Sequence, residues 1–341
     1  MDLYETAPDA DDVRAGVLIN ALTGTMDAGR AAALVARHLT SSLDTHRVMT
    51  FNVDELVDYR SHRPAMTFEN WQWTDYDEPE IVIDLLRDDE GRPVLLLHGQ
   101  EPDMRWGAFT DAVLAAVDRF GVDRTISVHG IPMGVPHTRP TTVSAHASSP
   151  DLIASQPDIL GTIEVPGSVT GLVEYRLGLA GREAVGFSAN VPHYLAQSEF
   201  PQAAAELVRQ IARNGDLALP VGDLEAAASE AALEIGRQVA GSQEVLAVVQ
   251  ALENQYDAFM RGATQETRAT LLAQPVELPT ADELGATLEA FLAEQDPAAD
   301  PRPDDARRAE PDAVEQVDPG ESTAPGEDEP MGPTGGPERA G

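Results

Sequence analysis

The sequence predicts an α/β protein with a largely parallel sheet that carries helices on both faces. Two observations support this prediction. Short apolar runs alternate with helical patterns through the first two thirds of the chain, and these runs are nearly continuous in Val, Ile and Leu. Continuous apolar runs are typical of strands covered on both faces. Strands that alternate with helices favour a parallel arrangement.

Six short segments rich in branched apolar residues are predicted to form strands, at 15–20, 47–51, 81–85, 93–98, 125–129 and 183–189. Helices are predicted at 27–39, 106–120 and 201–214. The second of these is the clearest, because Phe109, Val113 and Val117 share one helical face. The third has Pro201 at its start and Gly215 after its end, which are typical positions for these residues.

A change of pattern near residue 215 predicts a second, helical domain. Segments 223–240 and 244–261 each carry an apolar stripe at helical spacing, and Gly241 and Ser242 between them predict an antiparallel hairpin. A third helix is predicted to begin at Thr280, where the spacing is that of a capping box. The predicted units are an N-terminal extension at 1–12, an α/β domain at 13–218, a helical domain at 219–295 and a disordered acidic tail at 296–341.

The chain carries a formal net charge of −35, and this charge is spread over the body as well as the tail. Such a field repels nucleic acid and anionic lipid, and it fits protein partners with basic surfaces. No apolar run reaches the length of a membrane span, and the first residues lack a secretory pattern. We therefore expect a cytoplasmic protein with neither nucleic acid nor membrane as a partner.

Two residue types are missing from the sequence, cysteine and lysine. The absence of cysteine excludes thiol nucleophiles and thiolate metal sites. The absence of lysine excludes Schiff-base chemistry and the lysine of a nucleotide-binding P-loop. The sequence therefore predicts no cofactor.

The turn after the first predicted strand has the glycine spacing of a P-loop, from Gly24 to Gly29. Arg30 and Ala31 stand where that motif needs a lysine and a hydroxyl, so the match fails at the reactive positions. Asp27 is predicted to cap the following helix, since a carboxylate is favourable at a helix N-terminus. A ligand site at this turn is the alternative.

Two further candidates also follow predicted strands. His98 forms an acid/base pair with Glu101 or Asp103 in one interpretation, whereas these acids are ordinary turn residues in the other. Arg139, in a loop rich in proline and glycine, is of the type that holds a carboxylate or phosphate. We favour a rigid loop at a subunit or domain interface there.

A metal site is the alternative for the histidines of this region, which are His129, His137 and His146. Their separations match no compact metal-binding motif, so no metal is predicted.

A fourth turn, which follows the last predicted strand, carries His193. Ser188 lacks the second glycine of a nucleophile elbow, so no catalytic residue is assigned. If the four turns converge at one edge of the sheet, the candidate pocket is lined by Asp27, His98, Glu101, His137, Arg139 and His193.

At these same turns the chain resembles the proteasome-assembly-chaperone-2-like family in its actinobacterial form. The likeness is carried by Met-Asp-Ala-Gly at 26–29, His-Gly-Gln-Glu-Pro-Asp at 98–103, Gly-Val-Pro-His-Thr-Arg-Pro at 134–140 and Val-Pro-His-Tyr-Leu at 191–195. The resemblance implies a three-layer α/β/α sandwich of the phosphorylase/hydrolase-like type, and a homo-oligomer such as a trimer. Eukaryotic relatives help to assemble the α-ring of the proteasome.

Two functions stay open on the sequence. The first is a non-enzymatic protein-binding or assembly-chaperone-like protein, which the incomplete catalytic sets and the resemblance favour. The alternative is a phosphorylase- or hydrolase-like enzyme that acts on a small molecule at the carboxyl edge of the sheet.

Overall fold

A mixed sheet with helices on both faces forms the body of the protein in the computed structural model, which describes residues 3–24, 26–153, 162 and 164–261. The strands are β1 Tyr4–Thr6, β2 Val17–Thr23, β3 Asp44–Phe51, β4 Met66–Glu69, β5 Gln72–Tyr76, β6 Ile81–Arg87, β7 Pro93–Gln100, β8 Arg124–Met133, β9 Val143–Ala147 and β10 Glu183–Pro192. The α-helices are α1 Ala31–Ser42, α2 Trp106–Phe120, α3 Val169–Leu179, α4 Pro201–Gly215, α5 Gly222–Ala240 and α6 Gln243–Arg261.

The main sheet has eight strands in the order β1-β3-β6-β7-β2-β8-β10-β9 among the described residues. Its centre, from β7 through β2 and β8 to β10, is parallel. The remaining neighbours, β1 with β3, β3 with β6, β6 with β7 and β10 with β9, pair antiparallel. The expectation of a largely parallel sheet is therefore wrong at the flanks, because β3 and β6 follow each other without a helical crossover.

Two hydrophobic cores lie on opposite faces of the sheet, which confirms the three-layer α/β/α sandwich. Ile19 of β2 belongs to the core shared with α1 and α4. Its neighbour Leu18 belongs to the core shared with α2 and α3. In β7, Leu96 belongs to the first of these cores and Leu97 belongs to the second. Successive side chains of a strand point to opposite faces, so a strand covered on both sides reads as a continuous apolar run.

Helices α4, α5 and α6 extend the first of these cores. The apolar stripes of α5 and α6 join it through Leu224, Val239, Val245, Val249 and Leu252. Helix α4 begins with Pro201 as expected, but it includes Gly215. The residue that follows the helix, Asp216, adopts the left-handed conformation. The helix expected at Thr280 and the tail at 296–341 lie outside the described residues.

Strands β4 and β5 form a separate two-stranded sheet. Every residue of these two strands is exposed. The short turn between them, Asn70 and Trp71, has positive φ angles of 46° and 67°. Within the described part of the chain, no helix is both long and apolar enough to cross a bilayer.

Candidate functional site

The carboxyl ends of four parallel strands lie side by side in the order β7, β2, β8 and β10. The six candidate residues stand at or near these strand ends. Ligand sites of open α/β sheets form at such an edge. The hydrogen bonds of each side chain show whether it is already engaged by other residues of the chain or is free to contact a ligand.

Asp27 caps helix α1, as the sequence predicts. Its carboxylate oxygens accept hydrogen bonds from the backbone N–H of Ala32 at 2.8 Å and of Ala33 at 3.2 Å. Oδ1 also accepts a hydrogen bond from the N–H of Gly130 at 3.4 Å. Burial raises the pKa of Asp27, and these hydrogen bonds oppose the rise. The carboxylate therefore ties the turn after β2 to strand β8, and it serves the backbone instead of an external ligand.

Two glycines allow this turn to pack closely on its neighbours. Gly29 adopts a left-handed φ of 68°, and its N–H donates to the carbonyl oxygen of Ala196 at 2.7 Å. The carbonyl oxygen of Gly29 accepts a hydrogen bond from the N–H of Phe200 at 2.9 Å. At Gly130 an added Cβ would lie 1.9 Å from the carbonyl oxygen of Ala28. Only glycine permits both the left-handed conformation and the close backbone approach.

A cavity of about 380 Å³ lies beside the turn that follows β7. It is lined by Thr23, Gly24, His62, Gln100, Glu101, Pro102, Asp103 and Trp106. The Glu101 carboxylate accepts a hydrogen bond from the N–H of Val169 at the start of α3, where a negative charge is favourable. The Asp103 carboxylate accepts one from the N–H of Asp58 at 2.8 Å. Both acids of the cavity wall therefore hold backbone groups of the same chain.

His98 pairs with a different acid from the one that the sequence suggests. Its Nε2 lies 2.8 Å from Oδ2 of Asp84, so the interpretation that pairs it with Glu101 or Asp103 is wrong and the alternative, that these acids are turn residues, remains. The reason is that β7 extends to Gln100, which leaves His98 inside the strand and beside β6. Burial raises the pKa of Asp84, but hydrogen bonds from His98 and from Arg47 outweigh it and leave the pKa below its ordinary value.

The loop after β8 is fastened to helix α6. Nε and Nη2 of Arg139 donate to the two carboxylate oxygens of Asp257, each at 2.8 Å. This two-pronged geometry is the strong form of an arginine–carboxylate pair. Nη1 of Arg139 also donates to Glu253 at 3.3 Å, and the hydroxyl of Tyr256 donates to the carbonyl oxygen of Pro140 at 3.0 Å. The carboxylates that Arg139 holds thus belong to its own chain.

His137 and His193 meet at Tyr194, near the same loop. The Tyr194 hydroxyl accepts a hydrogen bond from the backbone N–H of His137 at 3.0 Å and lies 2.8 Å from its Nδ1. The ring of His193 packs edge-on against Tyr194, with 5.4 Å between the centroids. Burial lowers the pKa of both histidines, which favours the neutral form of the rings. His137 is buried and His193 is half-buried, and both rings contact Tyr194.

Two polar pairs that the sequence does not predict involve residues of β8, β9 and β10. Oγ of Ser188 lies 2.9 Å from Nε2 of His129, and Nδ1 of His146 lies 2.9 Å from Oε1 of Glu174. Burial and the neighbouring His146 lower the pKa of His129 to about 4. Ser188 and His129 stand at equivalent positions of the paired strands β10 and β8, and the sequence alone does not give that register. Ser188 is 6% exposed and lies inside β10, whereas the serine of a nucleophile elbow lies at an exposed turn.

Replacing Asp257 by asparagine tests the attachment of α6. The change removes the charge that Arg139 holds, so we expect the amides of α6 to exchange hydrogen several-fold faster while those of β8 are unchanged. Hydrogen-exchange mass spectrometry measures both segments in one experiment. Gln250→Ala is the control, because Gln250 is an exposed residue of the same helix whose side chain makes no hydrogen bond among the described residues. Equal exchange in the two variants would contradict the attachment.

The chain is similar to several proteins of known structure. A Mycobacterium tuberculosis protein of unknown function is 46% identical, with 78% of this chain and 96% of that chain covered and a TM-score of 0.73. A Corynebacterium glutamicum protein of unknown function is 38% identical, with coverages of 77% and 99% and a TM-score of 0.73. A Mycobacterium tuberculosis proteasome-assembly chaperone homologue is 30% identical, with coverages of 68% and 99% and a TM-score of 0.63.

No curated protein matches the chain at a significant level. The model of the PAC2 family matches residues 21–239, which is more than half of the chain. This range includes the four turns at the carboxyl edge of the sheet and most of helix α5. The chain therefore belongs to the PAC2 family, as its resemblance to the proteasome-assembly-chaperone-2-like proteins indicates.

Proposed function

We propose that this chain is a non-enzymatic protein-binding protein that acts as an assembly chaperone. The observation that carries the proposal is that the candidate acids and Arg139 at the carboxyl edge are engaged by the chain itself. Arg139 holds Asp257, and Asp27 holds the start of α1. The alternative of a phosphorylase- or hydrolase-like enzyme needs acids that are free to act on a substrate, whereas Glu101 already holds the N–H of Val169.

We propose proteasome subunits as the first partner to test. The support is the 30% identical relative, which is described as a proteasome-assembly chaperone homologue. The net charge of −35 favours a partner with a basic surface. We also propose that the protein is a homo-oligomer, such as a trimer, and that it is cytoplasmic. The proposed α/β domain ends at residue 218, and the proposed helical domain ends at residue 295.

A mixing experiment with purified proteins tests this function. The full-length chain is incubated with the separate α and β proteasome subunits of the same organism, and the complexes are weighed by native mass spectrometry. We expect a complex of fixed stoichiometry with unassembled α subunits, and its absence from the finished core particle. The control is an unrelated protein of similar negative charge, since charge alone also produces weak binding. If the chain is recovered only with copies of itself, the proposal is wrong.

A further inference from the structure

The cavity beside the turn after β7, called the β7 cavity below, is lined by residues from three separate parts of the chain. Gly24 belongs to the turn after β2, and His62 belongs to the segment before β4. The remaining wall runs from the end of β7 to Trp106 at the start of α2. The volume of about 380 Å³ lies at the lower end of the range for small-molecule sites, about 300 to 1,000 Å³. A metabolite of modest size therefore fits this cavity.

Two carboxylates of the β7 cavity have no arginine beside them. Glu101 forms no ion pair within the described part of the chain, and Asp103 pairs there only with His62, at 3.4 Å between Oδ2 and Nδ1. Oε1 of Glu101 is held by Val169, and Oδ2 of Asp103 is held by Asp58, so both groups have a fixed orientation. The other oxygen of each carboxylate accepts no hydrogen bond from the described residues. Two oriented carboxylates without a countercharge favour a cation.

Trp106 adds an aromatic surface to this acidic wall. Its Nε1–H donates to the carbonyl oxygen of Pro102 at 2.6 Å, which fixes the indole ring. Aromatic rings attract cations over their faces, and tryptophan does so most strongly. Gly24 makes room for the free oxygen of the nearby acid, since an added Cβ there would overlap Oε2 of Glu101. The indole and the carboxylates therefore favour the same type of ligand.

Gln100 brings to the β7 cavity an amide whose hydrogen-bonding groups are unused. Its Nε2 is buried without a partner, and its Oε1 accepts no hydrogen bond from the described residues. A buried polar group without a partner is costly, so its presence in a cavity wall points to a ligand that completes the pairing. The last torsion of a glutamine side chain is broad, which lets the amide turn toward such a ligand. It matches an uncharged group that donates and accepts, such as a carboxamide or a hydroxyl.

A metal ion and an anion fit these residues less well. Across the described ranges, no three His, Asp or Glu side chains are grouped closely enough to hold a metal ion. An anion in the β7 cavity would meet Glu101 and Asp103 with no arginine in the lining. Helix N-termini attract anions, but the start of α3 is already occupied by Glu101. An organic cation is therefore the ligand that the wall selects.

We propose that the β7 cavity binds a small organic amine that also carries a carboxamide or hydroxyl group. The ammonium pairs with Glu101 and Asp103, the carbon chain lies against Trp106, and the uncharged polar group pairs with the amide of Gln100. This inference adds a ligand site to the protein-binding role and does not depend on that role. A free carboxylate in place of the carboxamide weakens binding, because it meets the same acidic wall.

Calorimetric titration of the full-length protein with lysinamide tests the β7 cavity. Cadaverine has the same two amines and carbon chain without the carboxamide, whereas hexanamide has the carboxamide without the amines. We expect lysinamide to bind about five-fold more tightly than cadaverine and about ten-fold more tightly than hexanamide, since each analogue loses one set of hydrogen bonds. An absence of lysinamide binding would overturn the inference. So would equal affinities for lysinamide and hexanamide.

The Glu101→Gln variant removes one charge from the cavity and keeps the oxygen that holds Val169. Its affinity for lysinamide should fall about ten-fold, as expected when a charged hydrogen bond is lost. Asp89→Asn is the matched control, because it removes the same charge from an exposed side chain outside the lining. Its affinity should stay within about two-fold of the wild type. Equal losses in the two variants would show that amines bind only through the net charge of −35, which refutes the site.

The Gln100→Met variant separates ligand pairing from folding. It keeps the size of the side chain and removes the amide, which has no partner among the described residues, so the melting temperature should stay equal or rise. Cadaverine should bind the variant and the wild type equally, whereas lysinamide should lose its advantage over cadaverine. A variant that melts normally and still prefers lysinamide would contradict the pairing with Gln100.

Discussion

Replacing Gly130 by alanine is expected to destabilise the protein by about 3 kcal/mol, since overpacking of this severity lies at the upper end of its usual cost. The added Cβ would lie 1.9 Å from the carbonyl oxygen of Ala28. That carbonyl cannot move away cheaply, because hydrogen bonds to Ala196 and Phe200 fix the adjacent Gly29. At about 2 °C per kcal/mol, the value for large domains, the melting temperature should fall by about 6 °C. Thermal unfolding followed by circular dichroism measures the change.

Gly107→Ala is the matched control for this prediction. Gly107 lies in the first turn of α2, and an added Cβ would meet nothing within 4 Å. Alanine should therefore leave stability unchanged or raise it by about 0.5 to 1 kcal/mol, as expected for glycine replaced within a helix. If both variants melt like the wild type, the close packing of the turn after β2 on β8 is refuted.

The Asp88→Ala variant is expected to lose about 3 kcal/mol of stability, because several buried donors lose a charged acceptor together. The Asp88 side chain is fully buried. It accepts hydrogen bonds from the backbone N–H of Ala218 at 2.9 Å, of Glu90 at 3.0 Å and of Arg92 at 2.8 Å, and from Nε of Arg92 at 2.9 Å. The side chain thus fastens the turn between β6 and β7 to the segment that follows α4. Urea unfolding measures the loss.

The stabilisation by Asp88 should depend on pH. Burial raises the pKa of Asp88, but hydrogen bonds from Ala218, Arg92 and Glu90 outweigh it, so the pKa in the folded protein lies below the ordinary value of 3.8. The unfolded state therefore takes up a proton first as the pH falls. The contribution is present above pH 3.8 and is lost as the pH falls through the folded pKa. The difference between wild type and variant should shrink in that acidic range.

Asp89→Ala is the control, since the adjacent Asp89 is exposed and its side chain makes no hydrogen bond among the described residues. Its stability should stay within about 0.5 kcal/mol of the wild type. If both variants unfold at the same urea concentration, the network around Asp88 does not carry the predicted energy.

The layered core was predictable from the sequence because burial on both faces leaves a strong pattern. Strands β6, β7 and β10 appear as apolar runs, and helix α2 has the limits that its apolar face predicts. The antiparallel flanks were not predictable in this way. A single sequence shows an apolar run at 47–51, but it does not show which strand β3 pairs with.

The elements that were missed have weak or unusual patterns. Strands β4 and β5 alternate exposed aromatic and polar residues without a buried face. Helix α3 contains Gly171 and Gly178, and only three of its residues are buried. Its start is nevertheless marked, since Ser168 accepts a hydrogen bond from the N–H of Gly171 at 3.0 Å.

The candidate site was predictable in position but less so in its contacts. The turns at the carboxyl edge follow from the strand pattern, and the cap made by Asp27 follows from its place before α1. The partner of Arg139 did not follow, because Asp257 lies 118 positions further along the chain. That pair depends on how α6 packs against the loop, which local patterns do not encode.

The central place of β2 in the sheet governs the order in which the chain can fold during synthesis. Its two neighbours, β7 and β8, are made much later, and β8 ends at Met133. At usual translation speeds, about ten seconds pass between the emergence of β2 and that of its second neighbour. During this delay one of the most apolar segments of the protein is unpaired on the ribosome. A general chaperone that shields residues 17–23 at that stage should therefore raise the yield of folded protein.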